Sequence, residues 1–114
     1  MGLFKNKNKQ DTYESTLEVS KNKEGETITF FLKGKLDSTT AHELDEEIAK
    51  AVKQAKKLIF DLSNLTYISS AGLRSFLAAS RQLDGKGEIL ITNPNKEVND
   101  IFIATGFADV FNIE

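Results

Sequence analysis

The groups best placed to do chemistry in this chain are gathered in one string, D-L-S-N-L-T-Y-I-S-S-A-G-L, running from Asp61 to Leu73. It ends with two adjacent hydroxyls, Ser69 and Ser70, a small pair, Ala71 and Gly72, and then apolar residues at helical spacing. A helix starting there leaves the amides of its first turn unpaired, and these stabilise negative charge, including a phosphate carried covalently on Ser70. Serine is also among the commonest helix caps, where its hydroxyl contributes about 1 kcal/mol and has no further role. Gly72 has a similar double reading: with Ala71 it leaves space for an approaching protein or enzyme, or it only permits close packing of helix on sheet. Local chemistry leaves both pairs of readings open.

Catalytic arrangements are weaker. Ile68 stands where the nucleophile motif G-x-S-x-G needs its first glycine, so a strained nucleophile elbow is not encoded. Neither Gly34-Lys35 nor Gly85-Lys86 has the upstream glycine and downstream hydroxyl of a Walker loop. His42, the sole histidine, falls in the first turn of a predicted helix and is expected at the surface rather than as a base for Ser70. Asp37 and Asp61 would make an acid pair or a magnesium site only if neighbouring strand ends brought them together, and loop carboxylates more often satisfy turn amides. The expectation is a chain that is not an enzyme and needs no cofactor.

Composition narrows the partners. Fifteen basic and seventeen acidic side chains leave a formal charge of -2, too little positive field to collect nucleic acid or anionic lipid. There is no cysteine for disulfides, thiol catalysis or thiolate metal sites. No apolar run approaches the roughly 20 residues of a membrane helix, and Met1 to Gln10 lacks the apolar segment of a secretory signal. A cytoplasmic protein is expected, without nucleic-acid partner or membrane insertion.

The elements that must position Ser70 alternate along a single domain. Residues 1–12 read as a flexible polar tail, with Leu3 and Phe4 beside Lys5, Lys7 and Lys9. Tyr13 to Ser20 and Thr27 to Lys33 have strand periodicity and are joined by a turn at Asn22 to Gly25. A helix over residues 41–56 presents Leu44, Ile48 and Val52 on one stripe, with Thr40 and Glu43 as a capping box. Leu58 to Phe60 reads as a covered strand ending at Asp61, and Leu62 to Ser69 as a loop. A second helix runs from about Ala71 to Leu83, and Ile89 to Ile91 forms the next strand. Asn93 caps and Pro94 opens a third helix that ends at Gly106, and Val110 to Ile113 adds a last short strand. The class is α/β: a mixed sheet of four to five strands, an N-terminal antiparallel hairpin followed by parallel crossovers, with three or more packed helices. In such sheets ligands and partners meet the loops beyond the carboxyl ends of the strands, which again points to Ser70.

Three segments, G-K-L-D-S-T-T-A (Gly34 to Ala41), F-D-L-S-N-L-T-Y-I-S-S-A-G-L (Phe60 to Leu73) and T-G-F-A-D-V-F (Thr105 to Phe111), resemble the STAS family of anti-sigma factor antagonists. The resemblance spans residues 13–114 and implies a binding switch. The unmodified form would capture a serine-kinase anti-sigma factor and free the sigma factor, phosphorylation by that kinase would abolish capture, and a PP2C-type phosphatase would restore it. The family's D-S-[SA]-G-L motif carries its phosphoacceptor onto Ser70, whereas Ser69 stands where the family commonly has aspartate. Related STAS domains also serve as subunits of lipid-transport ATPase complexes, which makes a non-switching transporter subunit the alternative.

On the second helix Arg74, Ser75, Ala78 and Arg81 are expected to lie away from the Leu73, Phe76 and Leu77 stripe, as a shallow face with two basic ends. That face, with the loops Asp37, Ser38, Thr39 and Ser69 to Gly72, is the expected docking surface. Plain solvation explains Arg74 and Arg81 equally well.

Overall fold

Alternating apolar residues fold Leu17–Glu24 (β1) and Thr27–Leu36 (β2) into an antiparallel hairpin closed at Gly25, whose φ of 61° suits a residue without a Cβ. The computed structural model describes residues 16–114, so the expected tail and the strand start at Tyr13 lie outside the described residues. After β2 the chain alternates helix and strand: Ala41–Ala51 (α1), Lys57–Ile68 (β3), Ser70–Leu83 (α2), Glu88–Thr92 (β4), Lys96–Ala104 (α3), a 3-10 turn at Phe107–Asp109, and Asn112–Ile113 (β5). The five strands lie in chain order, and every pair after the hairpin is parallel.

Parallel strands that follow in sequence order, joined by right-handed crossovers, carry their helices on one face. The aromatic core follows that rule. Phe30 of β2 stacks on Phe60 of β3 at 5.2 Å, Phe60 meets Phe76 of α2 at 4.9 Å, and Phe76 meets Phe102 of α3 at 6.4 Å. All four rings are fully buried. Ile28, Leu32, Leu58, Leu62, Ile89 and Ile91 share that face, and α1 packs beside α2. The intervening residues, Thr29, Phe31, Ile59 and Leu90, point to the other face, which no helix of the described residues covers.

Several local expectations need correction. Leu62 to Ser69 is not a loop: β3 runs to Ile68. Its register against β2 slips between Phe31 and Lys33 and again between Gly34 and Lys35, each time by one extra residue on β3. Two bulges therefore turn the inward positions Leu58, Phe60 and Leu62 into Leu65 and Ile68 at three-residue spacing, which erases the alternation that identifies a strand. Gly34 is required beside the second slip, because at φ 107° a Cβ there would sit 2.1 Å from the Thr16 carbonyl oxygen.

Helix α1 stops at Ala51 instead of continuing to residue 56: past Val52 the amides of Lys53 and Gln54 bond three residues back, to the Lys50 and Ala51 carbonyls, and the Lys56 amide turns away to the Glu26 carbonyl at 2.7 Å. Thr40 does not cap α1 through its side chain. Its buried hydroxyl accepts from the Asp37 amide and donates to the Lys35 carbonyl, both at 2.9 Å. Asn95, not Asn93, caps α3: its Oδ1 accepts from the Val98 amide at 2.8 Å, while Asn93 takes a left-handed turn at φ 57°. Helix α2 begins one residue early, with Ser69 at the capping position and Ser70 as its first helical residue.

Candidate functional site

The carboxyl ends of β2 and β3 are stitched together by a hydrogen bond from the Ser69 amide to the Leu36 carbonyl at 2.9 Å. This bond brings the loop entering α1 beside the start of α2, as expected from the position of ligand loops in parallel sheets. In the first loop, Asp37 Oδ1 accepts from the Thr39 amide at 2.9 Å, the Thr39 hydroxyl at 2.7 Å and the Thr40 amide at 3.2 Å. Those bonds, that of the Thr39 hydroxyl first, hold the Asp37 carboxyl below the usual carboxylate range. The carboxylate is thus occupied with its own turn, and Ser38 and Thr39 form the exposed crest.

Ser69 has the extended backbone of a capping residue, and its carbonyl accepts from the Leu73 amide at 3.1 Å, but its buried Oγ has no partner. Ser70 is exposed. Arg74, Ala78 and Arg81 follow it at spacings of four, four and three, so the four residues fall on one stripe of α2; Arg74 and Arg81 are exposed and Ala78 is half-buried. Ala71 is half-buried beside the stripe.

Two residues expected on the docking surface are not at the surface. Ser75 is 3% exposed and donates to the Ala71 carbonyl at 3.4 Å. Helix α2 touches both the sheet and α1, so its buried arc is wider than the large apolar residues alone indicate, and a hydroxyl that bonds back to its own helix fits there. Gly72 is also buried. A Cβ there would meet Leu36 Cγ at 2.7 Å and Ile68 Cγ1 at 2.9 Å, so its smallness serves the contact between α2 and the ends of β2 and β3. The space it leaves is already filled from within the fold.

Asp37 and Asp61 are not brought together as an acid pair. Asp61 lies within β3 opposite Phe31, and its Oδ1 accepts from the Ser63 amide and hydroxyl. Among the described residues no group of three or more acidic or imidazole side chains is arranged to hold a metal ion. Sequence reasoning passed over Tyr67, which is 47% exposed three residues before Ser70. Its signal was an aromatic between two positions, Leu65 and Ile68, that anchor the core.

Comparison with known proteins agrees with this architecture. The STAS domain family model matches residues 18–114. BtrV of Bordetella bronchiseptica, provisionally named an anti-sigma factor antagonist, is 36% identical over 84 residues, covering 72% of each chain. The anti-sigma-B factor antagonist of Listeria monocytogenes is 27% identical over 96 residues, 82% of this chain and 84% of that one. The fold matches the anti-sigma factor antagonist SpoIIAA in its unphosphorylated form, with a TM-score of 0.73, 21% identity and coverage of 86% and 87%. It also matches the phosphorylated form of SpoIIAA, from Bacillus, with a TM-score of 0.66, 20% identity and coverage of 86% and 90%.

Proposed function

The chain belongs to the STAS domain family, and on that premise we propose that it is an anti-sigma factor antagonist whose binding is switched by phosphorylation of Ser70. Unmodified, it captures a serine-kinase anti-sigma factor and releases the sigma factor; phosphorylated, it does not; a PP2C-type phosphatase resets it. The observation that carries this reading is the exposed hydroxyl of Ser70, on the first turn of α2 and at the head of the stripe with Arg74, Ala78 and Arg81. Relatives named as antagonists, and a fold shared with a protein solved in both phosphorylation states, support it.

The chemistry is coherent. A phosphate on Ser70 brings about -1.5 to -2 charges to the surface, where the first-turn amides and Arg74 one turn along stabilise it locally. The same dianion must be desolvated at, or repelled by, any surface that docks over the stripe. A penalty of about 4 kcal/mol weakens binding roughly a thousandfold. The partner surface in this reading consists of Asp37, Ser38 and Thr39, the Ser69 to Ala71 turn, and the α2 stripe, with Gly72 and Ser75 supporting it from beneath.

The test is capture of partners by the purified chain, followed by incubation of the recovered ATPase with ATP. A histidine-kinase-like ATPase that phosphorylates the wild type but not Ser70→Ala supports the proposal. Undiminished phosphate uptake by Ser70→Ala contradicts it, and recovery of a transporter ATPase without phosphate transfer favours the non-switching subunit.

A further inference from the structure

The last residues that β2 and β3 turn away from the core before the two site loops are Lys35 and Tyr67, register partners on strands about 4.8 Å apart. Leu36 and Ile68, next in each strand, are buried against the helices, so Lys35 and Tyr67 lie on the open face, both exposed. Asp37 follows Lys35 by two residues and Ser70 follows Tyr67 by three, which keeps the pair within about 7–11 Å of those loops. We infer that Tyr67 anchors the partner that docks over Ser70, with its ring in an apolar pocket of that partner beside a carboxylate that pairs with Lys35; the inference rests on the partner reading above.

The second register slip of β3 decides which way Tyr67 points. Strict alternation from the buried Leu65 would turn Tyr67 toward the helices and Ile68 to solvent. The slip adds Thr66, whose hydroxyl donates to the Gly34 carbonyl at 3.0 Å, and reverses both: Ile68 enters the core opposite Leu36, and Tyr67 turns out opposite Lys35. Seating Ile68 explains the bulge, but it asks nothing of the residue turned outward, where a short polar side chain would serve the fold as well. Tyrosine there leaves a ring 47% exposed and a hydroxyl without a partner among the described residues. A stiff aromatic with two side-chain torsions gives contact area at little entropic cost, which is why tyrosine is enriched among the residues that carry binding energy. The neighbouring charge sets the chemistry of the partner. Lys35 makes no ion pair among the described residues. On this face Glu18 stands opposite Lys33 and Asp61 opposite Phe31, one and two rows further down, and the Asp37 carboxylate is committed to its own turn. An unpaired ammonium at the edge of an exposed ring is complementary to a carboxylate at the mouth of an apolar pocket.

The test titrates the ATPase captured by the wild type against full-length variants. Tyr67→Ala is expected to weaken binding roughly thirtyfold and Tyr67→Phe far less, with melting temperatures nearly unchanged. Lys35→Glu is expected to weaken binding by a margin that shrinks as salt is raised. Phe31→Ser, which removes an exposed aromatic two rows below Tyr67, is expected to bind as the wild type does. Wild-type affinity of Tyr67→Ala, with the phosphorylated chain still rejected, overturns the anchor and leaves the switch standing. Weak binding by Tyr67→Ala, with equal affinity of the phosphorylated and unmodified chains, supports the anchor and removes the switch. A loss of affinity that Phe31→Ser matches, or that a fall in melting temperature accompanies, makes Tyr67 structural and overturns the inference.

Discussion

Replacing Gly72 by alanine separates the two uses a glycine beside Ser70 could have. The added methyl would be 2.7 Å from Leu36 Cγ, 2.9 Å from Ile68 Cγ1 and 3.0 Å from Leu36 Cδ2, all in side chains that are themselves at most 2% exposed. At these distances something has to shift, and because the contacts fall on Leu36 Cγ and Ile68 Cγ1 rather than on the ends of flexible side chains, α2 is expected to lift away from the ends of β2 and β3. Overpacking of this kind costs about 1–3 kcal/mol, and the better helix propensity of alanine returns at most about 1 kcal/mol. The expected net loss is about 1–2 kcal/mol, or roughly 5–10 °C in melting temperature for a domain of this size. Thermal and urea unfolding followed by circular dichroism measure it. Because the lifted segment carries Ser70, partner affinity should fall with stability. Unchanged stability together with lost affinity would refute the packing argument and return Gly72 to the docking surface.

Other consequences are smaller in scope. Asn95→Ala removes both the cap to the Val98 amide and the bond from Nδ2 to the Leu65 carbonyl at 3.1 Å, and should cost about 1–2 kcal/mol in urea unfolding; Asn95→Asp, which keeps the acceptor and loses the donor, should fall between. The Lys21 ammonium, bonded to Glu47 and joined by Lys50, lowers the Glu47 pKa, so this pair stabilises the fold above the unfolded value of 4.5 and its contribution is lost as pH falls through the depressed folded value. Lys21 and Glu47 are 45% and 29% exposed, so Glu47→Gln should flatten the acid limb of the stability profile by less than about 1 kcal/mol; a steeper limb would contradict the sign. Arg74→Glu reverses an exposed charge one turn from Ser70 and should weaken partner binding with the melting temperature nearly unchanged; an equal loss of stability would make Arg74 structural.

Periodicity made the three helices and their alternation with strands along the chain legible in the sequence. Of the stripe expected on α1, Leu44 and Ile48 are buried and Val52, just past the end of the helix, is half-buried; on α3 the spacing of Val98, Ile101 and Phe102 predicts an inward face, of which Val98 and Phe102 are buried and Ile101 half-buried. The second half of β3 was illegible for a physical reason: each bulge adds a residue that pairs with nothing, and a reader following period two loses the strand where the structure bends it. The site was legible in outline, because a serine pair before a small pair and an apolar helix fixes where α2 starts to within one residue. Burial within α2 was less so. Ser75 is polar in type but lies within the arc set by two neighbours, and only the packing of α1 beside α2 reveals that second neighbour. Tyr67 was hidden by the same bulges that hid the strand.

The account rests on Ser70 as a charge-sensitive contact, and one titration tests it directly. The captured kinase would be titrated, with nucleotide present, against the unmodified chain and against the chain carrying stoichiometric phosphate whose position on Ser70 is verified by mass spectrometry. The account predicts that the phosphorylated chain binds roughly a thousandfold more weakly, the equivalent of about 4 kcal/mol. Equal affinity of the two forms would contradict it.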